Sequence, residues 1–292
     1  MGKAQRNRAR TARERIAAQQ VAARKAEQRR RILMITGSVG LVLVIVVGLI
    51  LFKVLQKPAK QGPKGELPAK VAAQITSVPA ATLAKVGTGA IPSPIGTNLK
   101  SITDKPLNSG GKPEMLYIGA EYCPYCAAMR WSMAVALSRF GTFGPLKGIH
   151  SSSTDVYPNT PTLTFLHQRY SSKYLTFVPV ENEDEQRNPL QKTTKAQQAL
   201  WVKYDSTSQG TGYPFIDFGN KVVLTGPLYV PTMLKGLTWA QVAAQLKNST
   251  GSVSQNINGA ANYLTAAICK MTNNTPSTVC SAAPIPTIEA KL

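Results

Sequence analysis

The sequence predicts an α/β fold preceded by one transmembrane helix. Three observations carry that expectation. Residues Ile32 to Phe52 form an unbroken run without a charged side chain. Met115-Leu116-Tyr117-Ile118 has the apolar continuity of a buried strand and leads into a helix-patterned segment after Cys126. Strand-like and helix-like stretches then alternate through the rest of the chain: 174–180 as a central strand, 190–204 as a helix around Ala196, Leu200, Trp201 and Tyr204, and Leu237 to Leu246 as a helix capped by Thr238.

The 292 residues carry 34 Lys+Arg against 14 Asp+Glu, a net charge of +20. The excess is concentrated: residues 1–31 hold 11 basic and 2 acidic side chains, and Lys53, Lys57, Lys60, Lys64 and Lys70 follow the apolar run. Basicity that flanks one segment points to a membrane and away from a specific nucleic-acid partner. At about 1.5 Å per residue, Ile32 to Phe52 is long enough to span a bilayer core of roughly 30 Å. The competing interpretation is a cleaved signal peptide, which has a shorter apolar region and a small-x-small site where this chain has Lys53-Val54-Leu55-Gln56-Lys57-Pro58. The expected division is a basic cytoplasmic leader over 1–31, a membrane helix over 32–52 and a Lys-, Pro- and Gly-rich linker over 53–74. A compact domain over 75–282 and a tail over 283–292 complete it. Arg24, Lys25, Arg29, Arg30 and Arg31 place the N-terminus in the cytoplasm and the domain outside it, as a single-pass membrane protein. The leader serves either as a topology signal or as a surface for anionic lipid or RNA. Ala80 to Val86 is expected to be a short helix.

The chemistry centres on Cys123-Pro124-Tyr125-Cys126. Gly110, Gly111 and Pro113 mark a turn before the strand, and Met129, Met133, Leu137 and Phe140 fall near one face of the following helix. Cys123 therefore sits where a strand hands over to a helix N-terminus, whose free N–H groups and dipole favour a thiolate. Cys123 is expected to be the exposed attacking thiol and Cys126, one turn on, the resolving one. Pro124 and Tyr125 set the turn. Half of a zinc site and a purely structural disulfide are the alternatives. His150 and His167 are not spaced to complete a zinc site, and no metal or other cofactor is expected.

Ala120-Glu121-Tyr122-Cys123 resembles the Ala-Glu-Trp-Cys run of thioredoxins, and Cys-Pro-Tyr-Cys is the sequence typical of glutaredoxins. Gly212-Tyr213-Pro214-Phe215-Ile216-Asp217-Phe218-Gly219-Asn220-Lys221-Val222-Val223 resembles the second hallmark of that superfamily, a cis-proline opening a hairpin. The resemblance covers roughly residues 112–248. It implies a thioredoxin-like mixed sheet flanked by helices, and a thiol–disulfide oxidoreductase with Cys123, Cys126 and Pro214 in the catalytic centre. Tyr213, Tyr122, Pro124 and Tyr125 are then the substrate-binding residues. The partners it implies are protein thiols and disulfides and a further redox protein. Two departures stand out. Tyr117 occupies the position, six ahead of the first cysteine, where thioredoxins carry a buried Asp, and Glu121 is expected to be exposed. The long gap before Pro214, with its helical insertion, is similar to the DsbA-type periplasmic enzymes.

Cys269 and Cys280 are expected to pair as a structural disulfide in an oxidising compartment, the alternative being a relay pair that exchanges electrons with the motif. Residues 249–292 match no element of the resemblance. A second functional class also fits the residues: a redox-inactive thioredoxin-fold binding or assembly factor at the membrane.

Overall fold

The computed structural model describes residues 60–207 and 210–292, together with residues 24, 25, 27–31, 34, 36, 40 and 42–49. The chain divides into two units, Met1–Pro58 and Ala59–Leu292. In the first unit the described residues are helical and exposed, and Arg31 pairs with Glu27 one turn away at 3.0 Å. The membrane-spanning helix expected over 32–52 requires correction. Among the described residues no helix is long and apolar enough to cross a membrane. Residues 32, 33, 35, 37–39, 41 and 50–52 of that segment lie outside the described residues, as do most of the leader and residues 53–59.

The second unit opens with two short helices, α1 (Ala69–Thr76) and α2 (Ala80–Val86), followed by an edge strand, β1 (Leu99–Ser101). Strand β2 (Lys112–Gly119) leads to the long helix α3 (Pro124–Leu137). Strands β3 (Lys147–His150) and β4 (Pro161–Thr164) come next, then β5 (Thr176–Glu181) and the inserted helix α4 (Lys195–Asp205). The hairpin β6 (Phe215–Phe218) and β7 (Val222–Thr225) precedes α5 (Trp239–Gln245). The 20-residue helix α6 (Ser252–Met271) and two short helices, α7 (Ser277–Cys280) and α8 (Ile285–Glu289), complete the unit.

The main sheet is mixed. Its strands run β1, β7, β6, β2, and β5 adds to the other side of β2. β5 is parallel to β2, whereas β6 is antiparallel to both β2 and β7. Side-chain alternation along β2 divides the core. Met115 and Tyr117 join Ile216 and Phe218 on the face covered by α3 and α6, around the fully buried Trp131. Leu116 and Ile118 join Phe215 and Val223 on the opposite face, which Trp201 of α4 covers. Helix α3 is buried on nearly all sides, so its sequence shows no clean polar face. A second sheet, made of Gly65–Glu66, β3 and β4, backs α3. There Thr162 Oγ1 donates to Ala127 O at 2.7 Å and Trp131 Nε1 donates to Pro161 O at 2.9 Å.

The limits expected for this domain are too narrow at both ends. Gly65 and Glu66 pair with Gly148 and Lys147, and Leu67 and Val71 are buried in the core, so the stretch expected to be a linker up to 74 belongs to the fold. The expected tail over 283–292 contains α8, whose Ile285 and Ile288 are core residues. The pattern behind both errors is the same: two or three apolar side chains among Lys, Pro and Ala find a long-range partner that a local window does not contain.

Candidate functional site: a buried dithiol at a helix N-terminus

Cys123 is the N-cap of α3, with extended backbone angles, and Pro124 occupies the first helical position, where a missing N–H costs nothing. The Cys126 N–H donates to Cys123 Sγ at 3.4 Å, so a sulfur serves in the capping role. Both cysteines are free thiols. The hydrogen bond from the Cys126 side chain lowers the Cys123 pKa most, and the Cys126 and Tyr125 backbone N–H groups and the Arg130 charge act in the same direction against burial. Burial pushes Cys126 well above the ordinary thiol value, reinforced by the neighbouring Cys123. The two sulfurs are thus biased in opposite directions, Cys123 towards thiolate and Cys126 towards thiol.

Cys123 is not the exposed thiol that its place in the sequence suggests. It is 5% accessible and Cys126 0%, because Tyr122, Tyr125 and Tyr213 pack around the pair. Each ring is held from behind. Tyr122 lies beneath the Arg187 guanidinium at 3.7 Å, and Arg187 pairs with Asp155 at 3.1 Å. Tyr125 meets Tyr157 edge-on at 5.8 Å. Tyr213 packs on Trp201 at 5.0 Å, meets Tyr122 at 6.2 Å and accepts a hydrogen bond from Asn182 Nδ2 at 2.8 Å. The Tyr213–Pro214 peptide is cis. Phe215 stands opposite Ile118, so Pro214 and Tyr213 emerge beside the end of β2 that leads into the motif.

Beneath the sulfurs lies an ion pair that the sequence pattern did not reveal. Arg130, fully buried in α3, donates from Nε to Glu181 Oε1 at 2.8 Å and from Nη2 to Glu181 Oε2 at 2.6 Å; Nη2 also reaches Ala120 O at 2.7 Å. One guanidinium therefore ties together the helix, the end of β5 and the residue where β2 gives way to the motif. The available signal was Arg130 itself, the lone charged side chain between Pro124 and Leu137. Glu121, expected to be exposed, is buried. It accepts from Thr164 Oγ1, and burial raises its pKa. Among the described residues no group of three or more His, Cys, Asp or Glu is placed to hold a metal ion.

Away from the motif, Cys269 at the end of α6 and Cys280 in α7 form a disulfide with Cα atoms 5.6 Å apart. It joins the last long helix to the C-terminal segment.

The fold and site define an α/β protein with a buried dithiol at a helix N-terminus beneath an aromatic rim. Residues 98–270 match the family described as "Domain of unknown function (DUF929)", and the chain belongs to that family. No curated protein matches the chain, and no solved structure does.

Proposed function

We propose that this protein is a thiol–disulfide oxidoreductase acting on protein thiols and disulfides through Cys123 and Cys126. The observation that carries this reading is geometric: Cys123 caps the N-terminus of α3, its sulfur accepts the Cys126 N–H, and Cys126 lies fully buried one turn behind it, an arrangement that favours a thiolate at Cys123. In the reducing direction, Cys123 thiolate attacks a substrate disulfide, its S–S bond breaks, and the first substrate sulfur departs and takes a proton. Cys126 then gives up its proton and attacks Cys123. The Cys123–Cys126 disulfide forms, and the second substrate sulfur leaves as a thiol with the electron pair. The reverse sequence oxidises a substrate dithiol. A mixed sheet with a parallel strand on one side of β2 and a cis-proline hairpin on the other supports the thioredoxin-like resemblance. The Cys269–Cys280 bridge supports an oxidising, extracytoplasmic compartment, where such bridges persist.

The burial of Cys123 favours a second reading, a thioredoxin-fold binding or assembly factor whose motif is redox-inactive. Equilibration of the full-length protein with glutathione redox buffers separates the two. An oxidoreductase gives a reversible transition that Cys123→Ser abolishes, near about −120 mV for an oxidant or about −270 mV for a reductant. A Cys123–Cys126 pair that does not exchange with glutathione overturns the enzymatic reading and leaves the second.

A further inference from the structure

The resolving step needs Cys126 as a thiolate, yet this sulfur is sealed from solvent. The groups that face it are Cys123 and Arg130 on its own helix, Tyr117 on β2, Glu181 on β5, and Tyr213 just ahead of β6. Arg130 and Glu181 are committed to one another through two hydrogen bonds. Tyr213 is engaged by Asn182. Tyr117 differs. Its ring is fixed edge-on against Phe165 at 5.7 Å, and its buried hydroxyl lies against the Cys126 side chain, with no other hydrogen-bond partner among the described residues. A buried hydroxyl without an oxygen or nitrogen partner is costly, and the group within its reach here is this sulfur.

The space around Gly119 shows where that hydroxyl is aimed. A Cβ at this position would collide with Tyr117 Oη and stand 3.1 Å from Cys126 Sγ. The phenol thus reaches over the glycine, two residues along the strand, into the space beside the sulfur. Burial foremost holds the hydroxyl protonated, and the Cys126 sulfur adds to that. A protonated phenol is a donor, so its complement is an acceptor that arises when Cys126 ionises.

The geometry points to Tyr117 as a positioning residue whose hydroxyl donates a hydrogen bond to the Cys126 thiolate and so stabilises it for attack on the Cys123 mixed disulfide. This rests on the oxidoreductase reading and adds to it the residue that serves the buried thiol. The phenol keeps its own proton throughout. The proton lost by Cys126 ends on the departing substrate sulfur, while the Cys126–Cys123 bond forms and the Cys123–substrate bond breaks. Without this donor Cys126 ionises at higher pH and resolution slows, whereas attack by Cys123 is unaffected.

The test is the full-length protein carrying Cys123→Ser, with and without Tyr117→Phe, which removes one oxygen and keeps the ring. Alkylation of Cys126 is followed by mass spectrometry across pH. The expected result is a higher midpoint and a rate at about pH 8 lowered about tenfold, the usual worth of a hydrogen bond to a charged group. A purely structural role would lower thermal stability without moving the midpoint. A midpoint unchanged by Tyr117→Phe overturns the assignment. Should that variant not fold, isotope-labelled tyrosine in the Cys123→Ser protein decides: the Tyr117 resonance must move with the Cys126 midpoint, and a resonance indifferent to it refutes the contact. Glutathione exchange of the wild-type protein is scored separately. A protein that fails to exchange but shows the midpoint shift loses the oxidoreductase reading and keeps the Tyr117 contact.

Discussion

Asp217 makes the stability of this protein depend on pH in a direction opposite to that of most carboxylates. It sits within β6 opposite Leu116, with no accessible surface. Its Oδ1 accepts the Asn220 N–H at 2.6 Å across the hairpin turn, and Oδ2 has no partner. Burial pushes its pKa from 3.8 to about 7, opposed by the Asn220 hydrogen bond and assisted by Glu114 and Asp104. The folded state therefore binds this proton more tightly than the unfolded chain does. The resulting stabilisation is complete below about pH 4 and is lost as the pH rises through about 7. A displacement of about three pKa units corresponds to roughly 4 kcal/mol over the whole range, of which about 3 kcal/mol falls between about pH 5 and pH 8. Asp217→Asn is isosteric, keeps the acceptor for Asn220 and cannot ionise. Urea unfolding of both proteins across that window should show the wild type losing about 3 kcal/mol relative to the variant as pH rises. Parallel stability curves would refute the reasoning.

Two further perturbations test other parts of the structure. Glu181→Gln leaves the Arg130 charge buried without its counter-charge and should cost about 3–5 kcal/mol in urea unfolding; a loss below about 1 kcal/mol would show that water or another acceptor reaches the guanidinium. Replacing Cys269 and Cys280 together by Ser releases a loop closed at a sequence separation of 11 and should lower stability by about 3 kcal/mol, read from thermal or urea midpoints; unchanged midpoints would place that constraint elsewhere.

The parts of the site that were legible in the sequence are those whose signals are local. Met115 to Ile118 reads as a buried strand because the run itself is apolar, and Thr238 reads as a cap because Trp239, Val242, Ala243 and Leu246 after it fall on one helical face; the structure has that cap and adds a reciprocal contact from Gln241. The helix over 195–205 likewise starts with a local box, Thr194 and Gln197. What could not be read depends on partners distant along the chain. Arg130 and Glu181 are 51 residues apart, and neither residue type alone foretells a buried pair. The burial of Cys123 draws on Tyr213 beside Tyr122 and Tyr125, and only the sheet brings Tyr213 to the motif. Leu67 and Ile288 sit in short segments that carry too few apolar side chains to announce a core role, yet both reach the same cluster.

The electrostatic contacts of the site fall into two classes that respond differently to ionic strength. Arg130 and Glu181 are wholly inside the protein, out of reach of mobile ions, so the anchoring of Ala120 and the motif turn does not change with salt. Arg187 and Asp155 reach solvent, with side chains 56% and 19% accessible, and it is Arg187 that presses Tyr122 onto the sulfurs. Added salt screens that outer contact and spares the inner one. Of the three rim tyrosines, salt therefore bears only on the hold over Tyr122, because Tyr125 rests on Tyr157 and Tyr213 on Trp201 and Asn182, while the floor beneath Cys126 keeps its ion pair.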